Sequence, residues 1–290
     1  MAELGLGTVQ FGTSYGVSNT QGIIPSSQQI FDILEESRRQ GIKFIDTAAL
    51  YGSSEEELGF QDLKGFKIVT KTPSFASAKI TITQVDELKI TFDRSLDRLN
   101  QDSTYALLCH HSEDLLAPGG EELWKAMEEI KSQKVVQKIG VSIYDGRQLD
   151  ELMTRYPLDI VQIPFNVLDQ RLKDGGQLDR LSRAGVEVHS RSVFLQGLLL
   201  MNKTHAFFDP IKSNLKRWHN TVTERGLTTT QAALAFVRDQ PAIDVVLVGV
   251  TELSQLSSCI KDFNGEYHFN GEGLGCNIAG FVDPSRWEIK

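Results

Sequence analysis

One pattern constrains this chain more than any other: eight short apolar runs, each followed by a polar turn and a stretch with helical period. The runs are Leu4–Phe11, Lys43–Asp46, Phe66–Lys71, Tyr105–His110, Lys138–Ser142, Ile160–Pro164, Val186–Ser190 and Val245–Val250. Between them, Gln28–Arg39, Val85–Leu99, Glu121–Lys131, Gly146–Arg155 and Thr229–Arg238 read as amphipathic helices, with apolar residues recurring every three or four positions. Strands that are apolar on both faces belong to a parallel sheet covered on both sides. Eight such units in alternation predict an α/β protein, a closed (β/α)8 TIM barrel. The 290 residues suit that reading as a single domain, 1-290, because barrels of this kind routinely use ~250 residues.

The rival architecture is the doubly wound nucleotide-binding fold. Its glycine fingerprint would have to fall on Gly5-Leu6-Gly7-Thr8-Val9-Gln10, where Gln10 occupies the third glycine position and no helical pattern follows. No Pro/Gly-rich linker divides the chain. Residues 264–290 are rich in glycine and aromatics, lie outside the eightfold pattern, and are expected at the active-site end of the barrel. Thirty basic against 38 acidic residues, a net charge of −8, exclude nucleic acid as a partner. Cys109, Cys259 and Cys276 show no CxxC spacing, so neither a disulfide framework nor a zinc site is expected. No apolar run approaches the ~20 residues that span a bilayer. Met1–Gly5 lacks the start of a secretory leader. These features predict a soluble, cytoplasmic protein with no membrane partner; they carry no signal of oligomeric state.

In a barrel, chemistry sits at the carboxyl ends of the strands. Asp46, Lys71 and His110 end three successive apolar runs, and Tyr51 follows Asp46 on the same loop. Taken singly, each has a plain structural explanation: a turn residue, a surface charge, a half-buried packing residue. Taken together, an acid, a base, a phenol and an imidazole converge where the fold would bring them. Such a set suits protonation of a carbonyl oxygen. The ammonium favours phenolate and the carboxylate holds the ammonium. A neutral imidazole orients the carbonyl by a hydrogen bond. A Schiff-base lyase is a competing reading, and it needs Lys71 free of Asp46. A barrel retained only as a cofactor-binding regulatory subunit is another, and it has no need of all four groups.

Gly5-Leu6-Gly7-Thr8, Phe44-Ile45-Asp46-Thr47-Ala48-Ala49-Leu50-Tyr51-Gly52, Thr70-Lys71 and Leu107-Leu108-Cys109-His110 resemble the aldo/keto reductase family. The similarity continues in order through Lys138-Ile139-Gly140-Val141-Ser142, Val161-Gln162-Ile163-Pro164-Phe165-Asn166, Gln196-Gly197-Leu198-Leu199 and Val248-Gly249-Val250-Thr251. The resemblance implies an oxidoreductase that moves hydride between NADP or NAD and a small-molecule carbonyl or alcohol substrate: an aldehyde, a ketone or a sugar-like compound. By the same resemblance the catalytic residues are Asp46, Tyr51, Lys71 and His110, with Tyr51 the proton donor and no metal. It assigns cofactor contacts to Gly7, Thr8, Asp46, Ser142, Gln162, Arg191, Ser192, Phe194, Gly249, Thr251 and Gln255. Two positions depart from the family pattern. Ile143 stands where Asn usually follows the serine, and Arg191 stands where an aromatic ring usually stacks on the nicotinamide. Phe207, Phe208, Trp218 and Trp287 are aromatics that either line a substrate pocket or pack against helices. Val250 to Ser254 contain no Arg or Lys, so a cationic clamp for a 2′-phosphate is not expected there.

Overall fold

The computed structural model describes residues 2–19 and 21–287. Eight parallel strands close on one another in chain order: β1 (Glu3–Gly7), β2 (Phe44–Asp46), β3 (Lys67–Lys71), β4 (Thr104–Cys109), β5 (Val136–Ser142), β6 (Ile160–Pro164), β7 (Glu187–Arg191) and β8 (Val245–Gly249). Leu6 pairs with Ile45 on one side and with Val248 on the other, which seals the cylinder. The outer layer comprises α1 (Ser27–Arg39), α2 (Ser54–Gly59), α3 (Ile82–Leu99), α4 (Gly120–Ser132), α5 (Gly146–Arg155), α6 (Gln177–Ala184), α7 (Lys212–Glu224), α8 (Thr229–Arg238) and α9 (Leu253–Phe263). Helix starts are chemically marked: Ser26 and Thr228 cap α1 and α8 in reciprocal boxes with Gln29 and Gln231. Among the described residues no helix is long and apolar enough to cross a membrane.

The first apolar run ends earlier than expected. Leu4–Phe11 is strand only to Gly7, and Val9–Gly12 is a turn of helix that carries the chain across the barrel mouth.

Two apolar clusters form, as a barrel requires: a large one between sheet and helices, and a smaller one of eight residues, Phe44, Val69, Tyr105, Ala106, Leu108, Ile160, Val245 and Leu247. The smaller cluster sets the site by strand parity. Successive side chains on a strand alternate faces, so a residue two positions on shares its neighbour's face. Two positions after Phe44, Val69, Leu108, Ile160 and Leu247 come Asp46, Lys71, His110, Gln162 and Gly249. An apolar layer therefore lies directly under a polar one.

The opposite end of the barrel is closed by charge. Glu187 accepts from Tyr105 Oη and His189 Nε2, each at 2.7 Å, and from Lys138. Burial pushes the Glu187 carboxyl up, but the His189, Lys138 and Tyr105 bonds outweigh it and hold the group at about 2.

Candidate active site

Lys71 is the fixed point. Its Nζ donates to both Asp46 carboxylate oxygens at 2.8 Å and to the Thr47 carbonyl at 2.9 Å, and it lies 3.3 Å from Tyr51 Oη. The ammonium also sits 4.8 Å from the centroid of the Tyr51 ring. His110 meets that ring edge-on, with centroids 5.8 Å apart. Gln162 Nε2 donates to Asp46 Oδ1 at 2.6 Å, across the barrel. With its three donors engaged and Asp46 beside it, Lys71 is not the free amine a Schiff-base lyase needs. Among the described residues no group of His, Cys, Asp and Glu is placed to hold a metal ion.

A second set of contacts positions these groups. Thr8 Oγ1 donates to the Asp46 carbonyl at 3.0 Å, and Ser54 Oγ lies 2.9 Å from Thr8 Oγ1 and 3.2 Å from Thr47 Oγ1. Three buried hydroxyls thus tie β1, β2 and α2 together. Glu55, buried at the start of α2, accepts from Thr70 at 2.6 Å and from Arg98 of α3. The Tyr51 loop is also pressed against the first loop, backbone on backbone. A Cβ on Gly12 would lie 1.9 Å from the Tyr51 carbonyl oxygen, and one on Gly52 (φ +58°) 2.2 Å from the Gly12 oxygen.

Burial raises the Tyr51 phenol above its ordinary value; the Asp46 charge adds to this and Arg191 opposes it. The expected lowering of the phenol by Lys71 is therefore not what dominates: desolvation and the neighbouring carboxylate win, and the hydroxyl stays protonated. Burial likewise lowers Lys71, against the pull of Asp46. His110 is pushed down to about 3, first by burial and then by the Lys71 and Arg191 charges, so its ring is neutral.

A cavity of about 670 Å³ opens from this cluster. Gly7, Thr8, Asp46, Tyr51, Arg191, Ser192, Phe194, Gly249, Thr251 and Gln255 all line it. Ser142 and Gln162, both buried, are register partners on β5 and β6. Past β7 the backbone beside the cavity is strained: Ser192, Leu195 and Gln196 have φ of 60°, 49° and 55°. Left-handed non-glycine residues cost roughly 1–3 kcal/mol each and cluster at ligand clamps. Gln255 accepts from the Thr251 amide at 2.9 Å and shapes the far end, at the start of α9.

Three lining or supporting residues had no sequence signal. Gln10 packs against Gly249, where a Cβ would meet its amide at 2.4 Å. Tyr15 lines the cavity from the first loop. Tyr144 lies under the Arg191 guanidinium, 4.4 Å from ring centroid to Cζ.

The aromatics named from sequence pack against other aromatic rings. Phe208 and Trp287 meet at 4.9 Å, Phe207 and Phe281 at 5.3 Å, and Trp218 is fully buried with Nε1 on the Leu199 carbonyl. Residues 264–287 run from Arg238, which donates to the Phe263, Gly265 and Tyr267 carbonyls, to Leu168, whose carbonyl accepts from the Cys276 amide. None of these tail residues lines the cavity. Residues 288–290 of the tail lie outside the described residues.

The profile of the Aldo/keto reductase family matches residues 3–268. The chain is 23% identical to the uncharacterized oxidoreductase YqkF of Bacillus subtilis, over 91% of this chain and 88% of that protein. It is 24% identical to the aldo-keto reductase YhdN of the same organism, over 89% and 83%. Among solved structures it resembles the holo form of an aldo-keto reductase from Bacillus halodurans. That match has a TM-score of 0.75 at 19% identity and covers 93% of this chain and 89% of the other.

Proposed function

The chain belongs to the aldo/keto reductase family and is an NAD(P)(H)-dependent enzyme, and from that premise we propose that it interconverts a carbonyl and an alcohol with Tyr51 as the proton donor. The observation that carries this reading is Tyr51 Oη, 3.3 Å from a buried ammonium locked on a carboxylate and facing the cavity.

The residues present fit a nicotinamide. Gln162 Oε1 is a buried acceptor with no donor among the described residues, suited to a carboxamide N–H, and Ser142 lies beside it in register. The cavity runs from Asp46 and Tyr51 to Thr251, Ser254 and Gln255 at the start of α9, where backbone N–H groups favour phosphate. A bound reduced nicotinamide supplies the hydride that reaches the carbonyl carbon.

The chain's own groups handle the oxygen. Tyr51, kept protonated by burial, donates to it as charge develops. Lys71 stabilises the phenolate left behind, and Asp46 keeps Lys71 in place. Neutral His110 presents a ring N–H that orients the carbonyl. Burial of the Tyr51 and Lys71 groups limits water at them, so these charges act in a low dielectric.

Replacing Tyr51 with Phe tests the reading. Turnover of carbonyl compounds, followed by loss of the reduced-nicotinamide absorbance, should fall roughly 10²–10⁴-fold, while cofactor binding to the apoprotein stays near that of the wild type. A Phe variant that keeps most of its activity contradicts the assignment.

A further inference from the structure

Among the described residues that line the cavity, Arg191 is the one Lys or Arg, and it has no carboxylate partner. Lys71 has Asp46. Asp169, the other buried acid near Arg191, spends both oxygens on Arg171 at 2.7 and 2.8 Å. Arg191 pairs with no carboxylate among the described residues. Its Nη2 donates to the Ile143 carbonyl at 2.9 Å, its Nη1 to Ser192 Oγ at 3.4 Å, and its flat face rests on Tyr144. Those contacts fix the guanidinium yet leave other N–H donors of the fork unspent. With His110 and Tyr51 neutral, Asp46 negative, and Lys71 and Arg191 positive, this end of the cavity carries an excess positive charge. That excess is focused inside a chain of net charge −8. The Arg191 charge is felt at Tyr51, Lys71 and His110.

We propose that Arg191 receives a carboxylate borne by the carbonyl substrate, so that the enzyme's preferred substrates are oxo acids rather than neutral aldehydes or ketones. The proposal rests on the carbonyl-reductase reading above and names its substrate class. A planar guanidinium held from one side by a ring matches a carboxylate's two oxygens, and a charge-assisted pair of this kind sets orientation as well as affinity. A cofactor phosphate offers the same anionic chemistry, but the lining at the start of α9 already provides hydroxyls and backbone donors for it.

The test compares 4-carboxybenzaldehyde with its uncharged methyl ester in the wild type, Arg191→Gln and Arg191→Lys. Both substrates meet the same holoenzyme, so any change in cofactor affinity cancels in the ratio of their kcat/KM values. The acid should be preferred at least tenfold by the wild type. Gln should erase that preference, and Lys should restore part of it. A wild-type ratio near one overturns the proposal. So does a ratio unchanged by Gln, and in that case a weakened NADPH Kd would assign the guanidinium to the cofactor. If neither compound is reduced, calorimetric binding of the two to the holoprotein decides. Binding selective for the acid and lost in Gln upholds the anion site while the reductase reading fails. Equal or absent binding overturns the site itself.

Discussion

At the scale of single residues, burial decides the protonation of Tyr51 and His110 more than neighbouring charge does. His110 illustrates the consequence for stability. Its pKa is about 3 in the folded chain against ~6.5 in an unfolded one. Between those values the unfolded state binds a proton that the folded state refuses, so stability rises with pH and is lost as pH falls below ~6.5. The slope from this group is at most about 1.4 kcal/mol per pH unit. Denaturant unfolding at neutral pH and at a pH near 5 should therefore show a smaller acid loss in His110→Asn than in the wild type. Equal losses would mean that His110 is not held neutral. Asp46, Tyr51, Lys71 and His110 were legible as a set because each ends or follows an apolar run. The Gln162 contact with Asp46 was not, since 116 positions separate the partners and neither residue type announces the other.

At the scale of elements, the strand boundaries follow from apolar runs to within a residue or two, and the exception is informative. Leu4–Phe11 continues apolar beyond β1 because Val9 and Phe11 sit in a helical turn, with Phe11 buried in the outer core. Hydrophobicity alone does not separate a strand from a buried turn of helix. The polar floor was legible in principle, since Glu187 and His189 are two apart on one strand and so share a face; isolated charges near a strand start look solvated until a closed barrel surrounds them. Where strands meet, the tolerance is smallest at Gly140. A Cβ there would lie 1.7 Å from the Ile160 carbonyl oxygen of the neighbouring strand. Relief requires β5 and β6 to part, so Gly140→Ala should cost about 4 kcal/mol or more, in the range reserved for disrupted cores. Gly280→Ala, with nothing within 4 Å of the added carbon, should stay within about 0.5 kcal/mol. Paired thermal melts read both, and similar midpoints for the two variants would contradict the packing argument.

At the scale of the whole molecule, the barrel brings segments from both ends of the chain to one cavity, and its far end bears on nucleotide choice. Thr251, Glu252, Ser254, Gln255 and Ser258 line that end, with no Lys or Arg among them. If Glu252 faces the ribose of a bound nucleotide, it would repel a dianionic 2′-phosphate and could accept from a 2′-hydroxyl, while Thr251 and Ser254 could bond a phosphate. Parallel titration of the apoprotein with NADPH and NADH should show both binding, with affinities within about a hundredfold, or ~2.7 kcal/mol. A larger preference for NADPH would reveal a cationic clamp supplied from elsewhere. The contact of Gly12 with Gly52 joins the first and second loops and leaves no room for a side chain on either. Every single-base change that alters a glycine codon's amino acid introduces a Cβ. The position of Tyr51 thus depends on two codons with no tolerated missense neighbours, neither of which encodes a side chain of its own.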